Sequence, residues 1–427
     1  MNLARLLEER WSMKEEAILV LGSHRQTLAV MASIHGRGSQ VYLGHDAGRR
    51  TFCEASRFVD DVCQFPKDCF DDPSAFLLAL QSFLRGREEV RFLFPVGTRE
   101  INLVLELRDA LPASVRVVAP DPRIWAHCLD KNQMAATIEQ LNLPRVVTVE
   151  AAELSALRAA IDTVGYPCII KPSTEASTIC GEKALILKSS EDFEAVPTWN
   201  LSDRSRLLVQ PFFEGIRHNI YFFAESGRIS EIFETKVEKT NRLNGTGFGV
   251  MGLGVESSPV WCEYTSRLVR HLNYEGVGCL QYLIDPKTGE SCFLELNARL
   301  GANYGHIQKS GIDLARRWVD QVAGLVSIEN QVQPRSRKLR YAWTYGDCLG
   351  LERSVSEGEM PPAQAFRYMV GIIARAVRAD VHLDWSWNDP LPAIYLYSEY
   401  IARIFRRPFP FRRRARRRSV SMDSGPQ

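Results

Sequence analysis

A glutamine, a glutamate, an asparagine and an arginine recur on one side of two short segments late in the chain. Gly276-Val277-Gly278-Cys279-Leu280-Gln281-Tyr282 runs into a turn signal, Asp285-Pro286-Lys287-Thr288-Gly289, and Phe293-Leu294-Glu295-Leu296-Asn297-Ala298-Arg299 follows. Strand residues alternate faces, so Leu280, Tyr282, Ile284, Leu294 and Leu296 share a parity suited to burial. Gln281, Glu295, Asn297 and Arg299 share the polar one. Folding at the turn sets Gln281 opposite Glu295. Carboxylate and amide oxygens suit Mg²⁺ held partly by substrate phosphates, and an adjacent guanidinium suits a polyphosphate or a transferred phosphoryl group. The same spacing also describes a sheet edge with a solvated polar face, and the pattern leaves both readings open.

The elements that must position this hairpin are legible on either side of it. Ala17 to Leu21, a helical stretch to about His35 and Gln40 to Gly44 form a βαβ opening. Further strands are expected at Arg91 to Phe94 and Val115 to Val118, with helices at Pro73 to Leu84 and Glu100 to Ala110. The first turn, Gly22-Ser23-His24-Arg25, lacks the G-x-G-x-x-G spacing of a dinucleotide site, which excludes a dehydrogenase. After a helix from about Asp130 to Leu141, Tyr166-Pro167-Cys168-Ile169-Ile170-Lys171-Pro172 reads as a buried strand ending in a lysine. The loop Ser173 to Glu182 and a strand at Ala184 to Leu187 follow. Such a lysine suits a polyphosphate or simply reaches for solvent. Leu207 to Phe213 is another apolar strand, then His218 to Glu225 and Arg228 to Glu238 are two long ones, with Glu234, Lys236 and Glu238 on one face of the second. A helix covers Ile312 to Gly324, Glu329 to Lys338 is a polar connector, and a further helix spans Ala363 to Arg378. Trp385 and Trp387 are expected as packing residues.

Composition bounds the function. The chain has 427 residues, 45% hydrophobic and 24% charged, ordinary globular material for two or three domains. Its ten cysteines form no C-x-x-C pair, Met1 to Glu16 lacks a signal-peptide core, and no run approaches a membrane span, so a cytoplasmic protein is expected. Net charge is +2, yet nine arginines lie between Arg403 and Arg418; removing those nine from +2 leaves −7 for the rest. With Ile404, Phe405, Phe409 and Phe411 interleaved, the tail suits an anionic membrane surface. Pro408 and Pro410 break a continuous amphipathic helix and favour a disordered solubilising end. No basic surface elsewhere suggests nucleic acid.

In this order the elements resemble the ATP-grasp superfamily, in its carbamoyl-phosphate-synthetase and biotin-carboxylase branch, over roughly Ala17 to Gly324. The resemblance rests on Asp130-Lys131, Ile169-Ile170-Lys171-Pro172, Val209-Gln210-Pro211-Phe212 with Glu214-Gly215, and the two hairpin segments. Gln at 281 matches the carbamoyl-phosphate-synthetase variant. The resemblance implies an α/β and α+β chain. A doubly wound pre-ATP-grasp domain (1–125) precedes a two-lobed ATP-grasp fold (126–328), an α+β extension (329–402) and a basic, disordered tail (403–427). It further implies that Lys131 and Lys171 contact ATP phosphates and that backbone around Gln210 and Phe212 receives adenine. His218 would meet the ribose and Lys236 the phosphates. Gln281, Glu295 and Asn297 would hold Mg²⁺, with Mn²⁺ an alternative, and Arg299 would steady the transferred phosphoryl group. The first domain would supply an acceptor loop at Pro95-Val96-Gly97-Thr98-Arg99-Glu100, residues that otherwise just begin a helix.

The activity so implied is carboxylate–amine or carboxylate–thiol ligation through an acyl phosphate, in a protein that is often a homodimer. Two departures stand out. The phosphate-covering loop, Ser173 to Gly181, holds one glycine, and Leu300-Gly301-Ala302-Asn303-Tyr304 lacks the acid that biotin carboxylation uses. The first motivates an alternative, a non-catalytic ATP-binding sensor or scaffold; the tail motivates another, a peripheral protein acting on envelope or polysaccharide precursors.

Overall fold

A computed structural model describes residues 16–174, 177–182, 184–196, 199–200, 206–325 and 338–406. β1 (Ala17–Leu21) is buried along its whole length, as a central strand of a parallel sheet covered on both faces must be. α1 (Arg25–Arg37) stops at Gly38, whose φ of 101° is left-handed and needs no Cβ. Then come β2 (Gln40–His45) and β3 (Asp61–Gln64). α2 (Pro73–Leu84) matches the sequence expectation and is capped by Asp72, whose carboxylate accepts from the Ser74 and Ala75 amides. β4 (Val90–Pro95), α3 (Thr98–Glu106) and β5 (Arg116–Val117) complete a parallel sheet ordered β3-β2-β1-β4-β5. That order reverses between β1 and β4, so the loops after these two strands diverge and leave the crevice where open α/β sheets bind ligands.

α4 (Pro122–Leu129) and α5 (Lys131–Gln140) lead to a small antiparallel sheet. Its strands are β6 (Val149–Ala151), β7 (Cys168–Pro172), β8 (Leu185–Leu187) and β9 (Leu207–Pro211), ordered β6-β9-β7-β8. α6 (Leu157–Val164) packs on it through Leu157 and Ile161 against Cys168, Ile170 and Val209.

The largest sheet begins with β10 (Ile216–Glu225), β11 (Arg228–Thr240) and β12 (Gly249–Val255), and α8 (Pro259–His271) follows α7 (Ser190–Glu194) as the next helix in the chain. β13 (Gly276–Ile284) and β14 (Ser291–Asn297) are antiparallel. Alternation along these strands builds two cores. Tyr221, Phe223, Phe233, Val277 and Cys279 face the first domain, joining Ile18 and Val20 and also Tyr304 of α9 (Tyr304–Lys309) and Trp318 of α10 (Leu314–Ala323). Ile220, Phe222, Ile232, Leu280 and Tyr282 face the other way, under Trp261 and Leu268 of α8 and Trp125 of α4.

The C-terminal residues continue this sheet. β15 (Arg340–Ala342) pairs antiparallel with β12, and β16 (Val381–His382) pairs with β15, giving β14-β13-β10-β11-β12-β15-β16. The expected extension therefore shares backbone hydrogen bonds with the unit before it. α11 (Thr344–Ser356), α12 (Pro362–Val377) and α13 (Leu391–Arg406) surround it. The expected tail boundary at 403 shifts, because α13 carries the chain to Arg406 and Arg403 donates to Glu352 at 2.7 Å. The remainder of the tail, 407–427, lies outside the described residues, as does most of the 329–338 connector. Trp387 is 84% exposed and packs into no core, contrary to expectation, whereas the neighbouring Asp389 is buried and accepts from the Ser56 hydroxyl and the Arg57 amide. All ten cysteines are unpaired, and no described helix is long and apolar enough to cross a membrane.

Candidate active site

The hairpin register places Gln281 directly opposite Glu295 and Cys279 opposite Asn297. Asn297 Nδ2 donates to Glu295 Oε1 at 2.7 Å, so the two side chains are held together on one face. A bulge follows: Tyr282 pairs with Phe293, and Leu294 is left over. The parity beyond that point flips. Phe293 takes the place expected of Leu294, edge-on to Tyr282 with ring centroids 5.8 Å apart, and Cys292 is buried.

Arg299, just past β14, donates from Nε to Thr98 Oγ1 at 3.1 Å. Thr98 opens α3 at the loop after β4, so the arginine spans from the large sheet to the switch point of the parallel one. Of the expected acceptor loop, Thr98 and Glu100 face this junction: Glu100 is buried and its carboxylate meets His24 Nε2 at 3.0 Å, across from the loop after β1. Packing there is tight, since a Cβ on Gly97 would lie 2.2 Å from Glu100 Oε2. Arg99 points elsewhere and is engaged by Asp46 and Asp71 at 2.7 and 2.6 Å, a structural role.

Lys171, at the end of β7, brings the small sheet to the same place. Burial pushes its ammonium below the usual lysine range, while the nearby Cys292 and Glu295 oppose that shift. Lys131, at the start of α5, donates to the Pro172 carbonyl at 2.6 Å and so braces the loop after β7. Gln210 of β9 donates through Nε2 to Thr148, and the Phe212 amide bonds the Pro167 carbonyl at 2.9 Å.

Two expected site residues lie on the face of the sheet opposite that of Gln281. His218 pairs with Tyr282 and with Lys236, and therefore shares the α8 side of the sheet, whereas Gln281 pairs with Asn219 on the side toward the first domain. His218 Nδ1 is 2.6 Å from the buried Glu234 carboxylate, whose other oxygen accepts from the Ser258 amide. Lys236 stands beside His218. Neither meets the hairpin cluster, because one residue of register changes the face of the whole strand.

The residues that sequence reasoning passed over are one position away. Asn219 and Thr235 form a cross-strand pair in line with Gln281, 5% and 0% exposed, and neither Asn219 Oδ1 nor Thr235 Oγ1 has a partner. Arg217, two residues earlier on the same face, keeps a sealed, unpartnered Nε. Buried polar atoms are normally satisfied, so this row is built to meet something polar. The signal in sequence was Arg217 and Asn219 at alternate positions opening an otherwise apolar strand.

The donor set suits a hard cation. Among the described residues no group of three His, Cys, Asp or Glu side chains is arranged to hold a metal. Gln281, Glu295 and Asn297 instead offer one carboxylate and two amides, an oxygen-only set that leaves most of a coordination sphere to a ligand's own oxygens.

Residues 259–323 match the family model for the carbamoyl-phosphate synthase L chain, ATP-binding domain. The carbamoyl phosphate synthase large chain, C-terminal section, of Methanopyrus kandleri is 23% identical over 248 residues, 53% of this chain and 43% of that protein. The chain thus spans less than half the length of the curated relatives it matches. The biotin carboxylase domain of Hydrogenobacter thermophilus 2-oxoglutarate carboxylase, solved with MgADP and bicarbonate, superposes with a TM-score of 0.60. That match is at 14% identity, over 76% of this chain and 73% of that one. An L-amino acid ligase from Bacillus licheniformis gives 0.55 at 14% identity, over 75% and 77%. The parallel domain, small antiparallel lobe and large sheet are therefore those of the ATP-grasp fold, and residues 259–323 are similar to the ATP-binding domain of the carbamoyl-phosphate synthase L chain.

Proposed function

We propose that this chain is an ATP-dependent ligase that activates a small carboxylate as an acyl phosphate and passes it to an amine or thiol. The observation that carries the reading is the convergence of Glu295, in register with Gln281 and bonded to Asn297, with Arg299 anchored on Thr98. A carboxylate oxygen attacks the γ-phosphorus, the bond to the bridging oxygen breaks and ADP leaves; the nucleophile then displaces phosphate from the acyl carbon. The neighbour solved with MgADP supports ATP as the phosphoryl donor. Bound with ATP, Mg²⁺ supplies charge neutralisation on the phosphates. Gln281, Glu295 and Asn297 would hold it, and Lys171 adds a positive charge from the opposite lobe. Arg299, fixed by Thr98, steadies the group in flight. Positioning and electrostatics of this kind are most of what phosphoryl transfer asks of a protein. Because the Phe212 amide, a single donor, already bonds a chain carbonyl, adenine recognition by that amide requires the bond to open, whereas the three-donor Lys131 ammonium can keep its bond to the Pro172 carbonyl and still meet a phosphate. A homodimer, the state named for the carboxylase neighbour, is part of the proposal.

A second reading, a nucleotide-binding module without turnover, draws support from the single glycine of the loop 173–181 and from the occupied Phe212 amide. Release of ADP from Mg·ATP across pooled amino acids, small carboxylic acids and sugar acids separates the two. Substrate-dependent release lost in Glu295→Ala supports the ligase; tight nucleotide binding with no release from any pool supports the module.

A further inference from the structure

One carboxylate ties the small lobe to the C-terminal extension. Glu182, where the loop after β7 ends, accepts from Arg242 Nη2 at 2.7 Å and from Arg353 Nη2. Arg242 lies two residues past β11 and Arg353 in the last turn of α11, so the large sheet and the extension grip the same side chain. Arg353 Nε also donates to Glu357 Oε1 at 2.6 Å, which fixes the plane of its guanidinium.

Moving Glu182 moves the small lobe, because Glu182 closes a tight turn with Ile179. The Ile179 amide donates to the Glu182 carbonyl at 2.8 Å and the Glu182 amide to the Ile179 carbonyl at 2.9 Å. Between them Cys180 and Gly181 have φ of 52° and 77°, the left-handed pair that such a two-residue turn uses. Ile179 is fully buried with Ile170, Leu187 and Val209 in the core of the small sheet.

The approach of α11 is built in as well. Gly350, three residues before Arg353 and on the same side of the helix, packs so closely on the residues after β11 that a Cβ would lie 2.5 Å from the Asn241 carbonyl oxygen. Asn241 is itself fixed, its amide donating to the Phe248 carbonyl at 3.0 Å and its Oδ1 accepting from the Phe248 amide at 2.9 Å. A side chain at 350 would lift α11 from Asn241, and the two guanidinium groups would no longer converge on one carboxylate.

We propose that Arg353 and Arg242 are positioning residues for the nucleotide: acting through Glu182, they hold the end of the phosphate-covering loop in place, and the C-terminal extension thereby sets how tightly Mg·ATP is retained. The proposal rests on nucleotide binding in the cleft, which both readings above share, and it brings in a part of the chain that gives no residue to the hairpin cluster. The three side chains are 22 to 38% exposed, so each pair contributes modestly and the effects are several-fold, not all-or-none.

The test is hydrogen–deuterium exchange of the full chain without nucleotide, read at the amides of residues 177–182, together with calorimetric titration of Mg·ATP. Arg353→Ala should speed exchange there by about 2- to 5-fold, and Glu182→Ala, which releases both arginines, by about 4- to 25-fold, with β10 and β13 unchanged. Mg·ATP should bind more weakly by similar factors. Arg353→Lys keeps the charge and should recover most of the protection, and molar salt should shrink the difference between Arg353→Ala and wild type; a merely structural defect predicts neither. Arg353→Gln carries the same expectation should the alanine variant not fold. Unchanged exchange at 177–182, a loss that Arg353→Lys does not recover, or faster exchange with unaltered Mg·ATP affinity overturns the proposal. Failure of the ligase reading looks different: Mg·ATP binds and responds to these variants, yet no substrate pool gives turnover, and the proposal stands.

Discussion

Arg299 Nε and Thr98 Oγ1 lie 3.1 Å apart although 201 residues separate them in the chain. The bond fixes a guanidinium of the large sheet at the switch point of the parallel sheet, where an acceptor would sit between them. Thr98→Val keeps the shape and removes the acceptor. A single hydrogen bond contributes about 0.5–1.5 kcal/mol, so ligation should slow by about 2- to 10-fold with ATP affinity unchanged. Steady-state kinetics with the identified substrate pair, together with nucleotide titration, reads both quantities, and a loss of ATP affinity would contradict the assignment.

Glu295 is exposed and its removal leaves no core cavity. Glu295→Ala should therefore abolish substrate-dependent ADP release while changing stability by no more than about 0.5 kcal/mol. Wild-type turnover in a variant with normal unfolding would remove this carboxylate from the site.

Asn219 predicts the opposite combination. Its Oδ1 is buried without a partner, a defect in the free protein that costs about 1–3 kcal/mol. Asn219→Leu, of similar volume, should raise the urea midpoint of the free protein and reduce the extra stability that Mg·ATP confers. If the variant is less stable without nucleotide, the oxygen is satisfied in solution and the row is not waiting for a ligand.

His306 gives the fold a pH dependence. The ring is fully buried, Nε2 donates to the Leu339 carbonyl at 2.9 Å, and Nδ1 has no partner, so the neutral form fits and the cation does not. Burial lowers its pKa from 6.5 to about 4. Because the unfolded chain takes the proton more readily, the contribution is present above about pH 6.5 and is lost as the pH falls toward about 4. It amounts to at most about 3 kcal/mol. Urea unfolding of wild type and His306→Phe across this window should show a shallower slope in the variant; parallel slopes would refute it.

How much of this was legible in sequence depends on the range of the interaction concerned. The pairing of Gln281 with Glu295 could be read because the turn at Asp285 to Gly289 lies between them and sets the register locally. The bulge at Leu294 could not, since an extra residue in one strand changes parity without changing composition. The expectation at His218 rests on the resemblance alone, because the middle of β10 is apolar on both faces and periodicity does not distinguish the face of His218 from that of Asn219. β12 holds three glycines and so shows no strand period in sequence, yet Gly252 is there because a Cβ would come 2.5 Å from the Lys236 carbonyl and 2.6 Å from the Tyr341 ring. β15 and β16, of three and two residues, are too short to carry a period at all. The contact between Arg299 and Thr98 follows only from the packing of whole domains.

The pairing of β15 with β12 also decides where this protein can be cut. A fragment ending near residue 328, the boundary that sequence alone suggests, would keep every residue of the hairpin cluster and still lose the strand that closes β12. The naked amide and carbonyl groups of Met251, Gly252 and Leu253 would then form an open edge, with the space around Gly252 left by Tyr341 beside it. Such an edge recruits another chain. A fragment that keeps this edge closed therefore extends at least through Val381–His382, and a shorter one gains a surface for strand-to-strand association that the intact chain covers.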